Sequence, residues 1–394
     1  MFKALLYLGL LVTPFVFIPG LDVRDVKMPC AVFFSTILIA AGFYFQDVKR
    51  LDNKWLWALL AYIPVSIYFA PIPEIWLNGI DVTYFWCWEP YLQITLFALT
   101  VVVIAGYEFT HKDVNVLFNL FFYCGLATAG YMVLQYFGHD QFFKPVDAFI
   151  DGKGHVSGFI GNPTHAAPFV AMTLPFAILL RRWVAVPVFV TAIFMSNSQM
   201  AYGSMFVSML FYMGTRGPRR LYAAAIILIM GLVALGVNTA YAPPGKRFLQ
   251  DNERIHHWTQ ILKDVRNPLT KDAEQAYPFT GRGLGSFKYV YHIEHPGGKN
   301  TPNRFHQAHN EYLEFLYSTG AVGLFLLVMA IYATIKRRLR IRDIFDGMID
   351  EKDAALMAGF LCIVLNAGGT FVFQIGTTAF YTVVFAGLLH NDTI

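Results

Sequence analysis

Charge is what this sequence has least of. Asp, Glu, Lys and Arg together make up 14% of its 394 residues, against roughly 25% in an ordinary soluble domain. So few charges could not cover the surface of a soluble chain this long, so the bilayer is expected to be its main solvent. Cysteine is scarce as well. Cys30, Cys87, Cys124 and Cys362 are scattered along the chain, which leaves no disulfide framework and no Cys-based zinc site to be read from them. There is no GxxxxGK[ST] loop for nucleotide phosphates, no internal repeat, no low-complexity tract and no separate soluble domain. The net charge of +4 is not a nucleic-acid signal, because most basic residues fall in short clusters between apolar runs.

Hydrophobic residues, by contrast, make up 56% of the chain, and the mean hydropathy is +0.48. Apolar runs long enough to span a bilayer occur at about 3–20, 29–46, 54–71, 91–108, 114–137, 160–180, 183–197, 198–214, 221–240, 311–335, 354–371 and 373–390. The first begins like a signal peptide, with Lys3 ahead of an apolar stretch. It lacks a small-x-small cleavage site and is expected to stay as the first helix. The expected fold is all-α and polytopic, with about twelve transmembrane helices. In chain order, 1–240 would carry nine spans, 241–308 one long outer loop containing helices, and 309–394 three more spans.

Orientation follows from the basic clusters. With twelve spans and a cytoplasmic N-terminus, Lys49, Arg50 and Lys54, then Arg181 and Arg182, then Arg216, Arg219 and Arg220, then Lys336 to Arg342 all fall on the cytoplasmic side, as does Lys112. The opposite loop at 72–90 carries Glu74, Asp81 and Glu89 and no Lys or Arg. The long loop escapes the positive-inside rule, as long loops do. Together with His309 it holds six of the eleven histidines and ten basic residues. That excess suits an anionic ligand, and attraction to lipid headgroups fits it too. Within the loop, 252–266 reads as an amphipathic helix with Ile255, Trp258, Ile261, Leu262 and Val265 on one face. It is expected to lie on the bilayer with Trp258 at the interface.

The sharpest motif is HNEYLEFLYSTGAVG at 309–323. On a continuous helix Gly320 and Gly323 would lie within roughly 40° of the His309 direction and about 17–21 Å deeper. Small residues at i and i+3 let another helix approach closely. His309 would then stand at the membrane surface, where it could act on a substrate whose lipid tail lies between helices. A packing helix with an incidental histidine at its mouth fits the spacing equally well.

This His-Asn-x9-Gly-x-x-Gly pattern after a long outer loop resembles the signature of the bacterial O-antigen ligase and O-antigen polymerase superfamily, which also includes the protein O-oligosaccharyltransferases. Arg254 with Trp258, then Pro268, then GRGLGSF (281–287) resemble that family's Arg-x3-Trp…Pro…Gly-x-Gly-x-x-Phe stretch. GFIGNPTHAA (158–167) is similar to its Gly-x-x-Gly-Asn-Pro segment. The resemblance covers about 158–335, and the first five spans match only in hydropathy. It departs at Ser198-Gln199, where family members often carry Ser-Arg.

The resemblance implies a GT-C-like membrane glycosyltransferase of the bacterial inner membrane. It would be inverting, independent of metal and cofactor, with its active site facing the periplasm. The implied donor is a glycan on undecaprenyl diphosphate. The implied acceptor is a sugar hydroxyl of lipid A-core or another glycan, and membrane lipid is the surrounding partner. Such a reaction needs cations for the diphosphate leaving group and a base near the acceptor hydroxyl. Arginine is always charged and can hold phosphate oxygens in pairs; histidine titrates near the working pH. Hence His309 is the expected base or hydrogen-bonding orienter and Arg254 the principal diphosphate clamp, with Asn310 beside the substrate. Arg282 and Arg304 are weaker clamp candidates, for which a solvated loop arginine reads at least as well. The glycines of GRGLGSF form either a backbone nest for an anion or a turn. Asn162 and His165 either line the cleft or serve as a polar cap with Pro163 at the first helical position.

His292, His295, His306 and His309 form two His-x-x-His pairs, but a zinc site needs three or four ligands held in place. The intervening PGGKNTPNRF is glycine-rich and polar, so no metal is expected. Among functions, transfer to an acceptor sugar and polymerisation of lipid-linked repeats differ only in acceptor, with a slight lean to the ligase. A transporter or flippase for the same glycans would be expected to carry ionisable residues inside the membrane. No Asp, Glu, Lys or Arg sits near the middle of a predicted span.

Overall fold

The computed structural model describes residues 1–17, 23–45, 51–70, 76–77, 80–81, 85–140, 156–215, 252–266, 277–287, 291, 307–339 and 349–393. The described chain is helical apart from one two-stranded hairpin. Its elements are α1 (Phe2–Phe15), α2 (Val23–Phe45), α3 (Lys54–Tyr68), β1 (Trp76–Leu77), β2 (Ile80–Asp81), α4 (Phe85–Gly106), α5 (His111–Tyr136), α6 (Pro163–Leu179), α7 (Val186–Met195) and α8 (Gln199–Gly214). After them come α9 (Asn252–Arg266), α10 (Tyr277–Thr280), α11 (Glu311–Arg338), α12 (Glu351–Asn366) and α13 (Gly376–His390). Eleven of the twelve apolar runs coincide with described helices; the run at 221–240 lies outside the described residues. Among the described residues four helical segments are long and apolar enough to cross a membrane: Asp25–Tyr44, Cys87–Gly106, His111–Tyr136 and Glu311–Arg338. The small hairpin falls in the loop predicted at 72–90, pairing Trp76 with Asp81 and Leu77 with Ile80.

Local chemistry sets where the helices begin. Asn53 accepts the Leu56 N–H, Thr110 and Asp113 form a reciprocal capping box, and Asp350 accepts the Lys352 N–H. Each satisfies main-chain donors that a helix start leaves unpaired.

The chain divides into two compact units. The first comprises Met1–Leu51, Leu99–Tyr241 and Ile335–Ile394. In it α12 packs on α6 and α8, α5 on α6 and α7, and α13 on α1 and α2. Phe121, Phe176 and Phe385 make its aromatic centre, with ring centroids 4.7 Å apart for Phe121–Phe385 and 4.9 Å for Phe121–Phe176. Lys27 is fully buried here. Its ammonium donates to the carbonyls of Thr13 (3.2 Å), Pro14 (2.6 Å) and Val16 (2.9 Å) at the end of α1. A cation at a helix C-terminus both fills orphan acceptors and meets the negative end of the dipole.

The second unit comprises Asp52–Ala98 and Ala242–Thr334. It groups α9, α10 and the 281–287 segment with α3 and with most of α11. The Asn53 amide donates to the Ala330 carbonyl (3.1 Å) and to Thr334 Oγ1 (3.3 Å), tying the start of α3 to α11. Leu59, Ile63, Ile67, Cys87, Leu284 and Leu326 form one apolar core. Ile261, Phe287, Tyr291, Ala308 and Tyr317 form another.

Candidate active site

The second of those cores carries the candidate site, because it gathers the loop helix, the glycine turn and the start of α11. In α9, Ile261 is fully buried and Val265 packs beside it, whereas Ile255 and Leu262 stay exposed. The apolar face expected to rest on the bilayer is therefore split. Trp258 is half-buried, and its indole N–H donates to the Ala308 carbonyl at 2.7 Å. An indole N–H has only this donor to offer, and hydropathy alone does not choose its acceptor. On the preceding residue, His257 Nδ1 lies 2.9 Å from the Tyr291 hydroxyl. Tyr291 stacks on Phe287 at 4.6 Å, and Phe287 meets Tyr317 edge-on at 5.2 Å. Arg254 lies one turn before Trp258 in α9, and its side chain is outside the described residues.

His309 stands just ahead of α11, not on it. Its φ is +50°, a conformation uncommon outside glycine, though histidine, like Asn and Asp, is enriched there. Asn310 caps the helix: its Oδ1 accepts the N–H groups of Tyr312 and Leu313, both at 3.1 Å. Glu314 reaches back past the cap, and its carboxylate accepts the Ala308 N–H at 3.0 Å. Both main-chain polar groups of Ala308 are thus held by side chains, and the half-buried His309 follows directly. Asn310 has a structural role that sequence reasoning did not give it.

The GRGLGSF segment resolves as a turn built on left-handed glycines. Gly281, Gly283 and Gly285 have φ of +72°, +92° and +78°. It docks into a break in α11, where Gly320 has φ +69° and ψ −176°. The premise of a continuous helix from His309 to Gly323 therefore fails at both ends, at the cap and at Gly320. The break leaves carbonyls without intrahelical partners, and neighbours take them up. The Arg282 N–H donates to the Tyr317 carbonyl at 3.0 Å. The Tyr62 hydroxyl lies 2.7 Å from the Phe279 carbonyl and 3.0 Å from that of Thr319. Gly320 thus serves backbone-to-backbone contact: a Cβ there would lie 2.6 Å from the Thr280 nitrogen, and one on Gly281 would lie 2.5 Å from the Gly320 nitrogen. Gly323 lies against Thr319 and Tyr62 in the same unit. Tyr62 was invisible to motif reading, because nothing in α3 announces a partner some 250 residues away.

Arg282 is not a solvated loop arginine. It is 3% exposed, and its guanidinium carbon lies 4.6 Å from the centre of the Tyr317 ring, within cation–π range. Arg304, His292, His295 and His306 lie outside the described residues. Among the described residues no group of three or more His, Cys, Asp or Glu could hold a metal ion.

Asn162 and His165 belong to the first unit. Asn162 Oδ1 accepts the Thr164 N–H at 2.9 Å, with Pro163 at the first helical position, so the cap reading of this residue is realised. His165 is 5% exposed, and its ring meets Phe371 edge-on at 4.5 Å. Gln199 begins α8 and is half-buried.

The second unit therefore brings together the His309 turn, the helix that carries Arg254 and the buried guanidinium of Arg282. A family model described as O-antigen ligase matches residues 184–328. That stretch runs from the turn before α7, through the loop and the His309 turn, into α11, and it supports the O-antigen ligase superfamily for this chain. The family implies a membrane glycosyltransferase-type enzyme whose partners are a lipid-linked glycan and an acceptor. No curated protein matches the chain significantly.

Proposed function

We propose that the chain is an O-antigen ligase-like glycosyltransferase moving a glycan from undecaprenyl diphosphate to an acceptor sugar hydroxyl such as that of lipid A-core. In this reading about twelve helices span the bacterial inner membrane and the His309 turn faces the periplasm. The observation that carries the reading is the Trp258–Ala308 hydrogen bond. It joins the helix bearing Arg254 to the turn bearing His309, inside the stretch matched by the family model.

The chemistry balances with these residues alone. The acceptor oxygen attacks the anomeric carbon as its proton passes to the His309 ring. The bond from that carbon to the diphosphate breaks on the opposite face, so the configuration inverts. Charge develops on the leaving diphosphate, and Arg254 holds it, with Arg282 and Arg304 as weaker contributors. The donor arrives already activated, so no nucleotide has a step to perform, and in this reading the arginines stabilise the diphosphate in place of a metal. The ligase reading is in keeping with the O-antigen ligase family match, and a polymerase would differ from it only in acceptor.

A deletion strain followed by glycolipid analysis tests this. Loss of a ligase leaves long lipid-linked polymer and bare acceptor. Acceptors bearing a single repeat would instead identify a polymerase. Unchanged glycans in an otherwise competent strain would count against both.

A further inference from the structure

We infer that Trp258 and Glu314 are positioning residues for His309, acting together as a two-sided clamp on Ala308; the inference rests on the transferase reading above. The clamp is visible in the hydrogen bonding. In an ordinary capping box the acidic residue at the third helical position returns to the cap residue's own N–H. Here the acid is Glu314, at the fourth position of α11. It passes over Asn310 and His309 to accept from Ala308 at 3.0 Å. The Ala308 carbonyl, on the other side of the same residue, accepts from Trp258 at 2.7 Å. Asn310 Oδ1 meanwhile fixes the next turn through Tyr312 and Leu313.

His309 is therefore the one residue between two pinned ones, with φ +50°. A non-glycine residue persists in such a conformation when its surroundings over-determine it. Ala308 is 4% exposed and Tyr317 and Ile261 pack in the same cluster, so water does not compete well for its polar groups. Glu314 is local to α11, whereas Trp258 comes from α9, the helix that carries Arg254. The Trp258 bond thus sets the spacing between the base and the diphosphate clamp. Reacting groups must be held to within a fraction of an ångström, and a misplacement of about 1 Å can cost about a hundredfold in rate.

The test uses the full-length protein in lipid nanodiscs, with a lipid-linked glycan donor and its acceptor. Three variants are compared: Trp258→Phe, which keeps an aromatic ring and loses the donor; Glu314→Leu, which loses the acceptor; and Glu314→Gln, whose amide oxygen still accepts. Trp258→Phe and Glu314→Leu should lower kcat about tenfold or more with KM within about twofold, and Glu314→Gln should stay near wild type. Hydrogen–deuterium exchange over 307–311 should quicken in Glu314→Leu and not in Glu314→Gln. If kcat per folded molecule is unchanged while only yield or thermal midpoint falls, the residues are merely structural and the inference is overturned. Unchanged exchange in Glu314→Leu overturns the clamp itself. If the wild-type protein transfers nothing, the transferase reading fails, and the exchange measurement still decides the clamp.

Discussion

Replacing Gly320 by alanine should open the second unit. Its φ of +69° with ψ of −176° lies in a region that is essentially glycine-only, and a side chain there costs on the order of 1–3 kcal/mol in backbone strain. The new methyl would also lie 2.6 Å from the Thr280 nitrogen. Main chain cannot swing aside as a side chain can, so the glycine turn must retreat. Retreat breaks the Arg282–Tyr317 main-chain bond and the Tyr62 contacts to Phe279 and Thr319. Hydrogen bonds of this kind are worth roughly 0.5–1.5 kcal/mol each. The combined loss is about 4 kcal/mol, enough to lower the melting midpoint by roughly 8 °C or more. Cys87 supplies the assay, because it is 1% exposed in the core that also holds Leu284 and Leu326. Its reaction with a thiol-reactive fluorophore during heating in detergent reports opening of that core; variants lacking the other cysteines make the signal specific. Gly130→Ala is the control, since a Cβ there meets nothing within 4 Å, and it should melt like wild type. A Gly320→Ala protein that also melted with wild type would refute the account of the helix break.

Three further outcomes are expected. His309→Ala should abolish glycan transfer while leaving the protein folded, and His309→Asn, which suits positive φ, should do the same; wild-type transfer by either removes the proposed base. Arg254→Lys should be impaired like Arg254→Ala, because an ammonium cannot hold two phosphate oxygens in the paired geometry of a guanidinium; full activity with lysine sinks the clamp. Asn310→Ala should destabilise the start of α11 by about 1 kcal/mol, while Asn310→Asp keeps the cap. Equal melting of the two Asn310 variants would show that the cap bonds contribute nothing.

Much of the molecule is legible in the chain. Hydropathy located α1 to α8 and α11 to α13, since a segment surrounded by lipid or by other helices must be apolar whatever its neighbours are, and amphipathic periodicity located α9. Pro163 after Asn162 marked a helix start correctly, because a cap is local chemistry. The glycines of 281–287 make a turn, one of the two forms their pattern allows. Trp258 and Arg282 were harder. The amphipathic pattern placed Trp258 on the apolar face of α9 but could not name the acceptor of its indole N–H, the Ala308 carbonyl fifty residues on. Arg282 looked solvated because nothing nearby in sequence could receive its guanidinium; Tyr317, thirty-five residues on, does so.

The sequence by itself determined a helical membrane protein, the apolar runs that became its described helices and the His309–Asn310 motif, because hydropathy, capping and motif spacing act over one or two turns. Tertiary structure alone decided that His309 precedes the helix in a left-handed turn, that α11 breaks at Gly320 and that Ala308 is held from both sides. Those features depend on carbonyls and amides finding partners in distant segments. A main-chain group's partner is fixed by where the chain returns in space, and periodicity does not encode that return.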